Sequence, residues 1–459
     1  MKYSIFALAM LIGVPAMVSL AMNGRRYRQW LMSLLIISTC FGTLGKINFV
    51  SLETYRGPDR GFEITLTDQI ALSLNIAMLV RFRDKIRWVP PRTVLMVAML
   101  LWAMISVSMS PVPLYGLFTV FKLCRMFCIY WCIVNLLRIG TPIRGLWAGI
   151  LGTAAILTVL GLKQKYINGY YRIPGPFDHS NTIPLYANLL IAVLLVWAIA
   201  DRKLKPWESA ASLAGALGLT FCVLATYSRA GIALAGGMLI IAMVVTNMRG
   251  FNPRSLAISG VVFLLLVGGG IKAAGSLIKR VKEAPKSSEQ ARQEFNAAAR
   301  MMLHDHPFGV GVNNFSYVLT SQTSYNRFLK VMKNESQAGV CHHIYNLTAA
   351  EVGFPGITLF LLLILSFCWT ALRAWYRGGD LEAKLLFGLF LGAVALHLQG
   401  LLEWGFRITP VMQMFTITSA MIVGLASQLD RRASSRKRER RTESCEIIPA
   451  VPTPEGVLL

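Results

Sequence analysis

HDHPFGVGVNNF (His304 to Phe315) and HHIYNLTAAEVGFPG (His342 to Gly356) sit in one polar stretch, from about Lys272 to Gly353, set between long apolar segments. Nearly everything else reads as lipid-facing helix. Hydrophobic residues make up 55% of 459, charged residues 15%, and mean hydropathy is +0.54. That composition excludes an ordinary soluble domain. Apolar runs of about 17–25 residues recur, the length a helix needs to cross the hydrocarbon. They lie near 3–22, 30–49, 66–80, 94–109, 114–137, 146–162, 182–200, 209–226, 231–246, 255–271, 354–372, 385–402 and 410–427. The pattern predicts an all-α, polytopic membrane protein of about 12–13 transmembrane helices with one large loop subdomain. No period-2 segments recur as a membrane barrel needs. The first run is long and lacks a small-residue cleavage site, so it reads as a retained helix.

The net charge of +24 invites a nucleic-acid partner. Its distribution argues against one. Arg25, Arg26 and Arg28 share a short loop, as do Arg81, Arg83, Lys85 and Arg87. Arg202, Lys203 and Lys205 follow, then Arg249 and Arg254, then Arg373 and Arg377. These loops alternate with nearly charge-free ones, which is the positive-inside pattern. The tail RRASSRKRERR (Arg431 to Arg441) falls on the same side and suits contact with anionic membrane lipids. The residues from 428 to 459 read as a basic, disordered cytoplasmic tail. The alternation places the loop 272–353 outside the cytoplasm, together with Val50–Thr65 and Lys163–Asn181.

Eight cysteines make no disulfide framework. Cys124, Cys128 and Cys132 share a helix face at i, i+4, i+8 and read as small apolar residues packing between membrane helices. Cys341 stands alone in the outer loop. No metal-ligand cluster of credible spacing is present, and no cofactor is expected. Within the loop, Ser287 to His304 suits a helix, with Ser287 and Ser288 as caps and Phe295, Ala299 and Met302 on one face.

Three arginines stand out on the outer side. Arg229 lies in ATYSRAGIALAGG, among small residues that let helices approach closely. Arg292 sits on the loop helix, and Arg172 in YYRIPGPFDHSNT, whose Asp178, His179, Ser180 and Asn181 suit either a helix cap or a ligand. Lys122 and Arg125 lie inside an apolar run, where charge faces a cavity or a partner. His397, Gln399, Glu403 and Arg407 line another run, and the i, i+4 spacing of Glu403 and Arg407 suits a salt bridge. Guanidinium groups clustered at a membrane surface fit phosphate oxygens bidentately. His342 or His343 could serve as a general base, but on the residues alone loop histidines at this place read first as caps on the following helix.

Four blocks resemble the O-antigen ligase and O-antigen polymerase superfamily of bacterial envelope enzymes: GPFDHSNTIPLYANLL, YSRAGIALAGG, HPFGVGVNNF and HHIYNLTAAEVGFPGITLFLLL. The resemblance covers about Arg172 to the last span. It divides the chain into N-terminal transmembrane helices (1–170) and a ligase/polymerase-like membrane domain (171–427) containing the periplasmic loop 272–353. It implies a glycosyltransferase of the bacterial inner membrane, with its active site facing the periplasm. Such an enzyme moves a glycan from a polyprenyl-diphosphate carrier to a glycan or lipid A-core acceptor, in the company of other polysaccharide assembly proteins. Residue by residue, Arg229 matches the arginine of the family's Ser-Arg-Gly block, with Ala230 in place of its glycine. Arg292 matches a second arginine. Both are expected to hold the diphosphate. His342 matches the catalytic-loop histidine, and His343 stands where the family has asparagine. Gly309 and Gly311 match turn glycines. Arg172, His343 and Glu403 are further candidates for substrate binding. The rival expectation is a transporter or flippase of the same lipid-linked glycan, for which Lys122 and Arg125 would serve. It would carry related halves, which this chain lacks.

Overall fold

The computed structural model describes residues 2–41, 46–200, 205–250, 253–283, 286–326 and 339–446. Arg202, Lys203, residues 327–338 of the polar loop and the tail after Glu446 lie outside the described residues. The protein is a helical bundle. The first helix is α1 (Lys2–Leu8) continued through a π-turn into α2 (Val14–Asn23), and α3 (Arg25–Ser38) follows. A two-stranded antiparallel ribbon, β1 (Ile47–Phe49) with β2 (Phe62–Ile64), fills the next loop, pairing Asn48 with Glu63. Then come α4 (Leu66–Arg81), α5 (Thr93–Ser108), α6 (Pro113–Arg138), α7 (Arg144–Leu162), α8 (Thr182–Ala200), α9 (Pro206–Ala225), α10 (Arg229–Met248) and α11 (Pro253–Glu283). The polar insert holds α12 (Lys286–Asp305), α13 (Phe315–Ser321) and α14 (Thr323–Asn326). The bundle closes with α15 (Ile344–Arg377), α16 (Leu381–Gln399) and α17 (Thr409–Glu446).

Nine helices among the described residues are long and apolar enough to cross a membrane. The chain is a multi-pass, all-α membrane protein. The other expected spans are shorter: α3 has 14 residues, α4 and α5 have 16 each, and the apolar part of α11 is Pro253–Gly268. At 1.5 Å per residue a 16-residue helix reaches about 24 Å, short of a ~30 Å hydrocarbon core. The run expected near 30–49 is corrected. Its helix starts at Arg25 and ends at Ser38, and residues 47–49 leave it for the ribbon. Gly42 and Gly45 follow that helix end in the sequence, and glycine is a poor helix former. The run at 385–402 likewise stops at Gln399, before Gly400.

Helix starts follow local chemistry. Thr65 and Asp68 form a reciprocal capping box for α4, and prolines open α6 and α9. Ser287 and Ser288 fall inside α12, which begins at Lys286, so they are not its caps. The face of Phe295, Ala299 and Met302 is buried as expected, and α12 packs on α15. The end of α17 corrects the expected tail: the helix continues past residue 428 to Glu446.

Helix α8 lies among α7, α9, α10, α16 and α17, with 94% of its apolar window buried; for the first span the figure is 11%. The basic loops meet at one end of the bundle. Arg138 bonds the Lys85 carbonyl, Arg249 those of Trp375 and Gly378, and Arg254 that of Lys205. Arg172, Arg292, His342 and Glu403 meet at the other.

Candidate functional site

Glu403 is the hub. Helix α16 ends at Gln399, and the chain turns back through Gly405–Arg407 to α17. One Glu403 oxygen accepts from Asn181 Nδ2 at 2.7 Å and from the Arg292 guanidinium at 3.1 Å. The other lies 3.4 Å from His342 Nδ1. Asn181 in turn accepts from Arg172 at 2.6 Å, while Arg172 Nε donates to the Thr226 carbonyl at 2.8 Å. The structure therefore brings Arg172, Arg292, His342 and Glu403 into one cluster, from four separate parts of the chain. Burial alone pushes the Glu403 carboxyl upward. The His342 hydrogen bond and charge, then Arg292 and His179, outweigh it and hold the group below its ordinary value.

The two histidines have different jobs. His343 is the N-cap of α15, and its Nδ1 accepts from the Asn346 backbone at 3.2 Å. Burial lowers its pKa, which keeps the imidazole neutral and able to accept. His342 is not a cap; it faces Glu403 and is about one-third exposed. The start of α15 is fixed by Ile344 N–H donating to the Gly400 carbonyl at 2.9 Å and Tyr345 Oη donating to the His397 carbonyl at 3.0 Å.

The glycine turn serves α15 as well. At Gly353 the backbone of that helix is non-helical, with φ 66° and ψ −171°. The break frees the carbonyls of Ala350 and Glu351, and the N–H groups of Val310 and Gly311 fill them at 2.9 and 3.0 Å. Gly309 (φ +92°) and Gly311 (φ +106°) take the left-handed region this approach requires. A Cβ at Gly309 would overlap the Glu351 carbonyl, and one at Gly311 would overlap Ser110. Their expected role in backbone shape has a definite geometry.

Beneath the cluster lies a second, closed set of charges. Arg407 pairs with Glu351 at 2.7 Å and with Asp59 at 3.4 Å. Lys122 pairs with Asp59 and donates to the Arg407 carbonyl at 2.9 Å. Thr119 Oγ1 donates to Asp59 at 2.5 Å. All of these side chains are buried. Burial would raise the Asp59 carboxyl, but Lys122 and Arg407 hold it below its ordinary value. Arg125 pairs with Asp68 at 2.6 Å. The expected Glu403–Arg407 salt bridge is overturned: α16 ends at Gln399, before either residue, so helical i, i+4 spacing does not apply, and each joins a different cluster. Asp59 is the residue that sequence reasoning missed. The signal was available, because an intramembrane Lys122 demands a carboxylate.

Arg229 opens α10 and stays outside both clusters. It is exposed, and its side chain has no ion pair or hydrogen bond among the described residues. It stands three positions after Thr226, which holds Arg172. Of the cysteine stripe only Cys132 is buried; Cys124 and Cys128 are exposed, which corrects the expected packing role for those two. Cys341 is buried and donates to Asn296 at 2.9 Å.

Residues 213–361 match the family model described as O-antigen ligase. That match bears out the resemblance to the O-antigen ligase and polymerase superfamily. It supports ligase- or polymerase-type function in polysaccharide assembly. It contains Arg229, Arg292, Gly309, Gly311, His342 and His343. Arg172 and Glu403 lie outside it and reach it by contact. A comparison with curated proteins finds no match.

Proposed function

We propose that the chain is an inner-membrane glycosyltransferase that transfers a glycan from a polyprenyl-diphosphate carrier to an acceptor hydroxyl, as a polysaccharide polymerase or ligase. The observation that carries this reading is the pairing of His342 with Glu403 beside Arg292 and Arg172. With Nδ1–H directed at the carboxylate, Nε2 keeps a lone pair for a proton. The acceptor oxygen attacks the anomeric carbon and its proton passes to His342. The bond from the anomeric carbon to phosphate breaks, and the diphosphate leaves with the electron pair, with inversion. Arg229, exposed and unpaired, and Arg292 neutralise that charge bidentately. Glu403 is a positioning residue: it orients His342 and holds Arg292 and Asn181. No step requires a metal or cofactor. The reading puts the cluster on the periplasmic face, since the basic loops meet at the opposite end.

A transporter would keep Lys122 and Arg125 for moving charge, yet both are paired with carboxylates. That observation favours the enzyme. The test is transfer in detergent, without sealed vesicles, by purified protein given a polyprenyl-diphosphate-linked glycan and an acceptor glycan. Product formation is expected, and its absence across matched donors and acceptors would sink the reading. Reporter fusions at Ser321 and Ser435 should report opposite sides of the membrane. The same side for both would overturn the topology.

A further inference from the structure

Beside the charged cluster the surface carries two stacked tyrosines. Tyr171 and Tyr227 lie ring on ring, with centroids 5.1 Å apart and planes 13° from parallel. Tyr171 is 68% exposed, so a broad aromatic face is open to solvent. Lys165 Nζ sits 4.9 Å from the Tyr227 ring and 5.8 Å from that of Tyr171, and donates to the Tyr171 carbonyl at 2.9 Å. Tyr227 has φ 53°, a left-handed backbone that a bulky residue rarely adopts and that persists where surroundings over-determine it. Tyrosines at a membrane edge are commonly interface anchors. Anchors spread along the interface. These two are stacked and pinned by one ammonium, and Tyr227 is held on a left-handed turn. Each also adjoins an arginine of the candidate site: Arg172 follows Tyr171, and Arg229 stands two positions after Tyr227.

We propose that the Tyr171–Tyr227 pair is a sugar-binding shelf that receives the pyranose rings of the donor glycan next to its diphosphate. This rests on the functional reading above. The C–H face of a pyranose is weakly positive and packs on the negative face of an aromatic ring. Successive Cα atoms are about 3.8 Å apart. A phosphate held by Arg229, two positions after Tyr227, therefore puts the first or second sugar within reach of the rings. The occupant is the donor rather than the acceptor because the diphosphate is covalently joined to the donor glycan. His342, which takes the acceptor proton, lies beyond Asn181 and Glu403 from Arg172.

The test uses the full-length protein in detergent, with donor and acceptor varied separately. Tyr171→Ala removes the open ring. Tyr227→Asn removes the other while keeping a residue that tolerates left-handed backbone. Tyr171→Trp keeps an aromatic face. Both ring deletions should raise the donor KM about tenfold, change kcat less than twofold and leave the acceptor KM unchanged; the tryptophan variant should stay near wild type. An unchanged donor KM, a rise in the acceptor KM instead, or equal losses in Tyr171→Trp and Tyr171→Ala would overturn the shelf. Reduced membrane abundance with normal KM would make the tyrosines anchors and overturn it too. If the wild type itself transfers no glycan, the functional reading fails; if it does and KM holds in the variants, only the shelf fails.

Discussion

Two charge clusters sit on either side of one short turn, and they differ in what they leave unfinished. The lower one, Asp59, Lys122, Glu351 and Arg407, is buried and balanced, two carboxylates against two cations. In the upper one, among the described residues, the carboxylate is Glu403, facing Arg292 and His342 directly and Arg172 through Asn181, with His342 and Arg292 partly open to solvent. A balanced buried set holds chain segments together, here the loop after β1, α6, α15 and the turn before α17. An open set that carries the Arg292 guanidinium, about one-third exposed, can take up anionic charge. Residues four apart in sequence, Glu403 and Arg407, thus serve opposite purposes, and the lower cluster fixes the turn from which the upper one is built.

The contrast breaks first at His342. Removing it should cost about 10²–10⁴ in transfer rate, the usual loss for a general base, while leaving the folded protein at normal membrane abundance. Near-normal polymer output from His342→Ala at matched abundance would remove it as the base.

Arg407→Met should do the reverse. It strands Glu351 in a buried site and leaves Asp59 with Lys122 and Thr119, and breaking a buried pair from one side costs about 3–5 kcal/mol. Thermal unfolding in detergent should show the loss even without substrate. If Arg407→Met unfolds like the wild type but loses transfer, the lower cluster belongs to the chemistry and the contrast is wrong.

Much of this was legible in the sequence, and the failures are instructive. Hydropathy located the helices, since the cost of exposing peptide groups to lipid leaves few alternatives. Arg292, His342 and the two turn glycines were visible through spacing and resemblance, which both act within a continuous stretch. The pairing of Lys122 with Asp59 was not, because the two belong to separate elements and only packing brings them together. The split between Glu403 and Arg407 was hidden for a related reason: periodicity assumes the helix continues, and Gly400 ends it.

Arg229→Lys tests the exposed arginine that stands outside both clusters, near the upper cluster in sequence through Thr226 and Arg172. A point-charge ammonium cannot reproduce two parallel contacts to phosphate. Charged hydrogen bonds contribute roughly 1.5–3 kcal/mol, so transfer should fall about tenfold or more with the protein intact. Full-length polysaccharide from the lysine variant at normal expression would leave Arg229 as an interface anchor. Acid should act on the upper cluster. Glu403 has a folded-state pKa below its unfolded value, so its stabilising contribution is complete above the ordinary carboxylate range, near pH 4.3. It is lost as pH falls through the lower folded value. A pH titration of thermal stability should show an acid-side loss in the wild type that is reduced in Glu403→Gln. Identical acid limbs would mean the carboxylate is not paired as described.

The smallest effect belongs to His343, which is adjacent to the proposed base yet turned to the backbone. His343→Ala removes a helix cap and should cost about 1 kcal/mol of stability. His343→Asn supplies another side-chain acceptor for the Asn346 N–H and should recover most of it. Because burial depresses the folded pKa of His343, the wild type loses its contribution as pH falls below the ordinary histidine range, when the ring must charge and release that N–H. The asparagine variant has no such titration, so its stability should decline less between about pH 6.5 and pH 5. Transfer by both variants, corrected for abundance, should stay within a few-fold of wild type. A severe transfer defect in His343→Asn beside a mild one in His342→Ala would exchange the roles of the two histidines, and Glu403 would then be orienting a ring that does no proton transfer.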